Sequence, residues 1–94
     1  MTKEFILDYL NKNKTTLQKK FKVNKIGLFG SFAKEKNNEN SDIDIIVDMP
    51  SNFDLYYDLK YHLESVFNKK VDLVLEKNIR KYIKEKIKNE IIYV

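Results

Sequence analysis

The sequence predicts a mixed α/β domain, α+β in its ordering: a small twisted mixed sheet with helices packed on it. Three observations carry this. Two apolar, β-branched runs, Asp42–Asp48 and Lys70–Leu75, read as buried strands. Between them, Phe53–Phe67 places Leu55, Tyr56, Leu59, Leu63, Val66 and Phe67 on one side at helical spacing. Upstream, Lys22–Phe29 reads as a further strand that runs into a short helix through Gly30-Ser31, and both glycines of the chain, Gly27 and Gly30, lie there. Strands and helices that alternate in this way bury their apolar faces as a sheet covered by helices.

The elements follow in order. Residues 2 to about 20 read as a helix, because Phe5, Ile6, Tyr9 and Leu10 recur at helical spacing and Leu17 and Phe21 resume the stripe. Thr2 and Phe5 do not form a capping box, which needs Glu or Gln at the later position. The polar stretch Asn11–Thr16 is weak, and the helix is expected to bend or break there. The strand regularises over Lys25–Phe29, and Ser31–Lys36 is a short helix for which Ser31 suits the N-cap. Asn37–Ser41 is a loop by composition, and Met49-Pro50-Ser51-Asn52 ends the next strand. Asn78 suits the cap of a last helix with Ile79, Tyr82, Ile83 and Ile87 as its stripe, and Ile91–Val94 forms a short final strand or simply packs down. There is no internal repeat or linker, so residues 1–94 are expected to form a single domain.

Composition narrows the function classes. With no cysteine and one histidine, disulfides and zinc chemistry are excluded. No apolar run approaches the ~18 residues of a membrane span. Glu4 and Asp8 interrupt any signal-peptide core, so the cytoplasm is the expected location. The net charge of +4 is unevenly spread: residues 1–68 balance, and residues 69–94 carry eight basic against four acidic side chains. No aromatic interleaving of the kind that binds single strands accompanies this tail, so a solvated helix face is the plainer reading and nucleic acid is not expected as a direct ligand.

The chemistry concentrates in two places. Asp42 and Asp44 are two apart at the head of a strand and so project side by side. Like charges that close repel, and a divalent cation offsets the cost best. Carboxylates are ligands that Mg2+ prefers, usually combined with substrate phosphates. The second place is Gly30-Ser31, where a strand meets a helix start. Glycine allows close backbone approach, and helix-start N–H groups favour anions. Together they suggest a nucleoside triphosphate held by Mg2+. Asp72 is a lone carboxylate in the otherwise apolar strand Val71–Leu75, which asks for a reason. Asp48 shares the face of Asp42 and Asp44 but lies ~20 Å from the first at roughly 3.3 Å per residue, and is assigned to capping the turn at Pro50. His62 sits mid-helix beside core residues, so a Ser-His-Asp arrangement with Ser31 is not supported, and neither glycine belongs to a P-loop.

The ordered set Gly27-Leu28-Phe29-Gly30-Ser31-Phe32-Ala33, a polar gap, Ser41-Asp42-Ile43-Asp44-Ile45-Ile46-Val47 and Asp72 on a later strand resembles the DNA polymerase β-like nucleotidyltransferases, and most of all their smallest members, the minimal nucleotidyltransferases. The resemblance covers nearly the whole chain and implies the nucleotidyltransferase fold. It implies that Gly30, Ser31 and Lys34 bind the nucleotide and that Asp42, Asp44 and Asp72 hold two Mg2+ ions, with Asp72 also facing the acceptor hydroxyl. Lys34 departs from the arginine the small members often carry nearby, and it meets phosphate as a point charge without a bidentate fork. The implied activity is transfer of AMP from ATP to a hydroxyl. The implied partner is a HEPN-domain ribonuclease toxin, silenced by AMP on a tyrosine, with this chain as its antitoxin. Tyr57 and Tyr61, four apart on the polar side of their helix, are candidate partner contacts. A module that neutralises its partner by contact alone, and a small-molecule or RNA acceptor, remain the competing readings.

Overall fold

Asn13 divides the amino-terminal helix in two. The computed structural model describes residues 1–94 and places α1 at Lys3–Lys12 and α2 at Lys14–Phe21. The Tyr9 carbonyl accepts twice from Asn13, from its backbone N–H at 3.0 Å and from its side-chain Nδ2 at 2.9 Å, and this doubled bond caps the end of α1. This is the expected break, now with a cause. Thr2 is no capping box, yet its hydroxyl does cap α1, accepting from the Phe5 N–H at 3.1 Å.

The other elements are β1 (Lys25–Phe29), α3 (Gly30–Lys34), β2 (Ile43–Asp48), α4 (Phe53–Phe67), β3 (Val71–Leu75), α5 (Lys81–Ile87) and β4 (Ile92–Tyr93). They form one four-stranded sheet in the order β3-β2-β1-β4. β2 and β3 are parallel, as a crossover through α4 requires, and β1 pairs antiparallel with β2 and β4. The expected mixed sheet with packed helices is the observed one.

Register sorts the side chains onto two faces. Ile26 lies opposite Val47, Leu28 opposite Ile45, and Ile45 opposite Leu73. These residues are buried with Ile6, Leu10, Leu17 and Phe21 of α1 and α2, and with Leu59, Leu63 and Phe67 of α4, in one apolar core. α4 starts as its sequence dictates, with Asn52 Oδ1 accepting from the Leu55 N–H at 3.0 Å. The other face carries Phe29, Asp44 and Asp72 in a row across three strands.

β3 is an edge strand, and α4 occupies part of its backbone. The Tyr56 hydroxyl donates to the Leu73 carbonyl at 2.6 Å, and Glu64 Oε2 accepts from the Val71 N–H at 3.0 Å.

The carboxyl-terminal segment departs most from expectation. Asn78 does not cap the last helix; it ends a 3-10 turn over Glu76–Asn78, and α5 begins after Arg80 with no side-chain cap. No residue of α5 is buried, and Tyr82 and Ile83 are exposed. Ion pairs fix the segment instead: Glu76 meets Lys25 of β1 at 3.5 Å and Lys84 of α5 at 3.4 Å. β4 then adds to β1, placing Tyr93 opposite Gly27. A Cβ on Gly27 would lie 2.9 Å from Tyr93 Cδ1 and 3.0 Å from Ile91 Cγ2, so this close approach needs glycine.

Candidate active site

β2 and β3 run parallel with Asp44 directly opposite Asp72. Both carboxylates therefore stand side by side on the sheet face away from the helical core. Asp42 falls one residue before β2 begins, exposed, two positions upstream of Asp44. The strand had been expected to start at Asp42, but only Ile43 onward is paired. The Ile43 N–H donates to the Lys70 carbonyl at 3.0 Å, the first rung of the ladder.

Asp44 is half-buried, and its carboxyl is pushed up from the ordinary 3.8 to about 6. Burial is the largest cause, followed by the negative charges of Asp72 and Asp42 and, last, that of Glu90. The site thus lacks counter-charge. No group of three His, Cys, Asp or Glu side chains forms a ready cage for a metal ion. The donor set fits a hard divalent cation that takes some carboxylate oxygens from the protein and completes its shell with water and substrate phosphate, as Mg2+ does.

The β1–α3 turn closes the site on one side. Gly30 has φ +73°, in the left-handed region, and a Cβ there would overlap the Asp44 carboxylate. Glycine is needed both for the turn and for the room it leaves beside Asp44. Ser31 does not cap the helix as expected: α3 already begins at Gly30, with Phe29 in the cap position and no side-chain cap bond. Half-buried Ser31 keeps its hydroxyl out of the protein's own capping. Lys34, in the last turn of α3, has an ion pair with Glu90 at 2.9 Å.

The structure therefore brings together Asp42, Asp44, Asp72 and Gly30, with Ser31 next in the chain and Lys34 on the same short helix. Glu90 was missed. Its sequence signal is only a lone acid near the end of a basic tail; the β1–β4 pairing is what delivers it.

The residues set apart in the sequence stay apart. Asp48 lies at the far end of β2, opposite Lys25. The turn it was assigned to cap is closed by backbone, the Asn52 N–H donating to the Pro50 carbonyl at 2.9 Å. His62 is half-buried, and its Nε2 lies 2.8 Å from the Tyr9 hydroxyl. Phe53, Tyr57 and Tyr61 form a run of tilted rings along α4, with Phe53 and Tyr61 exposed and ring centroids 4.7 Å apart for Phe53–Tyr57 and 5.8 Å for Tyr57–Tyr61. No helix is long and apolar enough to cross a membrane.

A strand–turn–helix followed by a carboxylate pair shared between parallel strands gathers Gly30, Asp44 and Asp72 at one end of the sheet. Residues 10–94 match the nucleotidyltransferase domain family, and the chain belongs to that family. It is 42% identical over 94 residues to a Methanocaldococcus jannaschii protein assigned as a protein adenylyltransferase, covering 95% of this chain and 94% of that one. It is 33% identical to the protein adenylyltransferase MntA of Thermococcus cleftensis, covering 100% and 97%. Among solved structures, a minimal nucleotidyltransferase superposes with TM-score 0.83 at 23% identity, over 98% of this chain and 95% of that one, a likeness of fold. A chain of a toxin–antitoxin structure with AMP-PNP gives TM-score 0.71 at 27% identity, over 88% and 69%. A chain of a structure of tri-AMPylated Shewanella oneidensis HEPN toxin with MNT antitoxin gives 0.62 at 26%, over 90% and 69%.

Proposed function

We propose that this nucleotidyltransferase moves AMP from Mg-ATP to a tyrosine hydroxyl of a HEPN-domain ribonuclease toxin in the cytoplasm, acting as its antitoxin. The observation that carries the reading is the register that sets Asp44 against Asp72 beside the Gly30 turn. The protein adenylyltransferase relatives and the AMPylated-toxin complex support the acceptor.

In this reading Gly30 and Ser31 seat the triphosphate, and Lys34 offsets part of its charge. Asp42, Asp44 and Asp72 are the carboxylates that would hold two Mg2+ ions. When bound, such ions neutralise the triphosphate and lower the acceptor hydroxyl's pKa. The tyrosine oxygen attacks the α-phosphorus in line, the new P–O bond forms as the bond to the bridging oxygen breaks, and pyrophosphate leaves. Asp72 is exposed near the head of β3, and in this reading it receives the hydroxyl proton. Positioning and charge neutralisation do most of the work.

Co-expression with the cognate HEPN protein and mass spectrometry of that partner test the reading. Wild type is expected to add AMP to a partner tyrosine under ATP and Mg2+. Asp72→Asn is expected to leave the partner unmodified while still forming the complex. An unmodified partner with wild type would overturn protein AMPylation. Neutralisation of the toxin by Asp72→Asn as complete as by wild type would make the chain a contact inhibitor.

A further inference from the structure

We infer that Glu90 is a positioning residue of the nucleotide site, holding the Lys34 ammonium where the triphosphate arrives. The inference rests on the Mg-ATP reading above and adds a residue from outside the motif to it.

The geometry begins with β4. Tyr93 lies opposite Gly27 and Ile92 opposite Leu28. Glu90 lies in the turn two residues before β4, and Lys34 lies in α3, which directly follows β1. The Val94 N–H donates to the Ile26 carbonyl at 3.1 Å, and the Glu90 N–H to the Ile87 carbonyl at 2.9 Å, so the backbone on both sides of Glu90 is tied down. Its side chain is 23% exposed and lies 2.9 Å from Lys34 Nζ, whose own side chain is 47% exposed.

Two roles fit a carboxylate at this position: it presents Lys34 to the phosphate, or it competes with the phosphate for Lys34. The energetics favour presentation. Lys has three donors on one ammonium, so a phosphate oxygen can join without displacing Glu90. Displacing it would strand a largely covered carboxylate without its cation, a costly exchange. A lysine on a free four-carbon stem must be ordered when ligand binds, and here the pair has already ordered it.

A double-mutant cycle on binding of the non-transferable analogue AMP-PNP with Mg2+, by calorimetry, tests this. Glu90→Gln is expected to weaken binding roughly ten-fold, the scale of one charge-assisted contact. Lys34→Ala is expected to weaken it similarly, and the double variant no more than Lys34→Ala alone. In transfer kinetics Glu90→Gln is expected to raise KM for ATP by more than it lowers kcat. Glu90→Asp, which keeps the charge on a shorter arm, is expected to fall between wild type and Glu90→Gln, and it serves if the neutral variant folds poorly. Unchanged or tighter binding by Glu90→Gln, or losses that add in the double variant, would overturn the inference alone. Failure of wild type to bind Mg-AMP-PNP would overturn the nucleotide reading and this inference with it.

Discussion

At the scale of single residues, the site is built against its own stability. Asp44 sits half-buried between Asp42 and Asp72, and its carboxyl holds a proton up to about pH 6 where an ordinary one releases it near 3.8. The folded state binds that proton more tightly than the unfolded chain does. The contribution is therefore fully present below pH 3.8 and is lost as pH rises through about 6. In EDTA, Asp44→Asn is expected to melt higher than wild type at pH 7.5, with the difference shrinking toward pH 4, while transfer activity is abolished. Thermal melts across pH, followed by circular dichroism, check this; an Asn variant that melts lower throughout would contradict it. The Asp42 and Asp44 pair is singled out in the sequence by its two-residue spacing, although only Asp44 lies within β2. That Asp44 pairs with Asp72 was not legible there, since it depends on the parallel register of strands nearly thirty residues apart. Ser31 as a cap failed for a local reason: Gly30 turns the chain at φ +73° and starts the helix one residue early.

At the scale of elements, α4 is the crossover that makes β2 and β3 parallel, and so it positions Asp72 against Asp44. Leu63 is fully buried beneath it, and Asn52 caps it. Leu63→Ala is expected to cost ~2–5 kcal/mol. Asn52→Ala is expected to cost about 1 kcal/mol. Urea denaturation measures both, with AMP-PNP affinity retained by whatever fraction stays folded. This helix was plain in the sequence because fifteen residues of sustained apolar spacing outweigh any local ambiguity. α5 was misread for the opposite reason. Seven residues are too few for the pattern to decide, Asn78 is consumed in a 3-10 turn, and ion pairs of Glu76 place the segment. Two of the eight basic residues of the tail are paired: Lys84 meets Glu76, and Lys88 meets Glu85 at 2.7 Å.

At the scale of the whole molecule, ligand and fold are coupled through the shared charge problem. Mg-ATP is expected to raise the melting temperature, and ATP in EDTA to do so far less, because ligand that binds only the folded state stabilises it by mass action. Equal shifts with and without Mg2+ would speak against carboxylate-held metal. The occupied edge of β3 has a different consequence. Tyr56 and Glu64 already engage its backbone, and the opposite edge is a strand of two residues. Neither edge is a ready template for a strand from another chain. Recognition of a partner must then be written in side chains on the helices, which can drift without disturbing the carboxylates. Exchanging the exposed residues of α4 and α5 between two such proteins is expected to swap their partners in pull-down assays, with nucleotide transfer preserved on the new one.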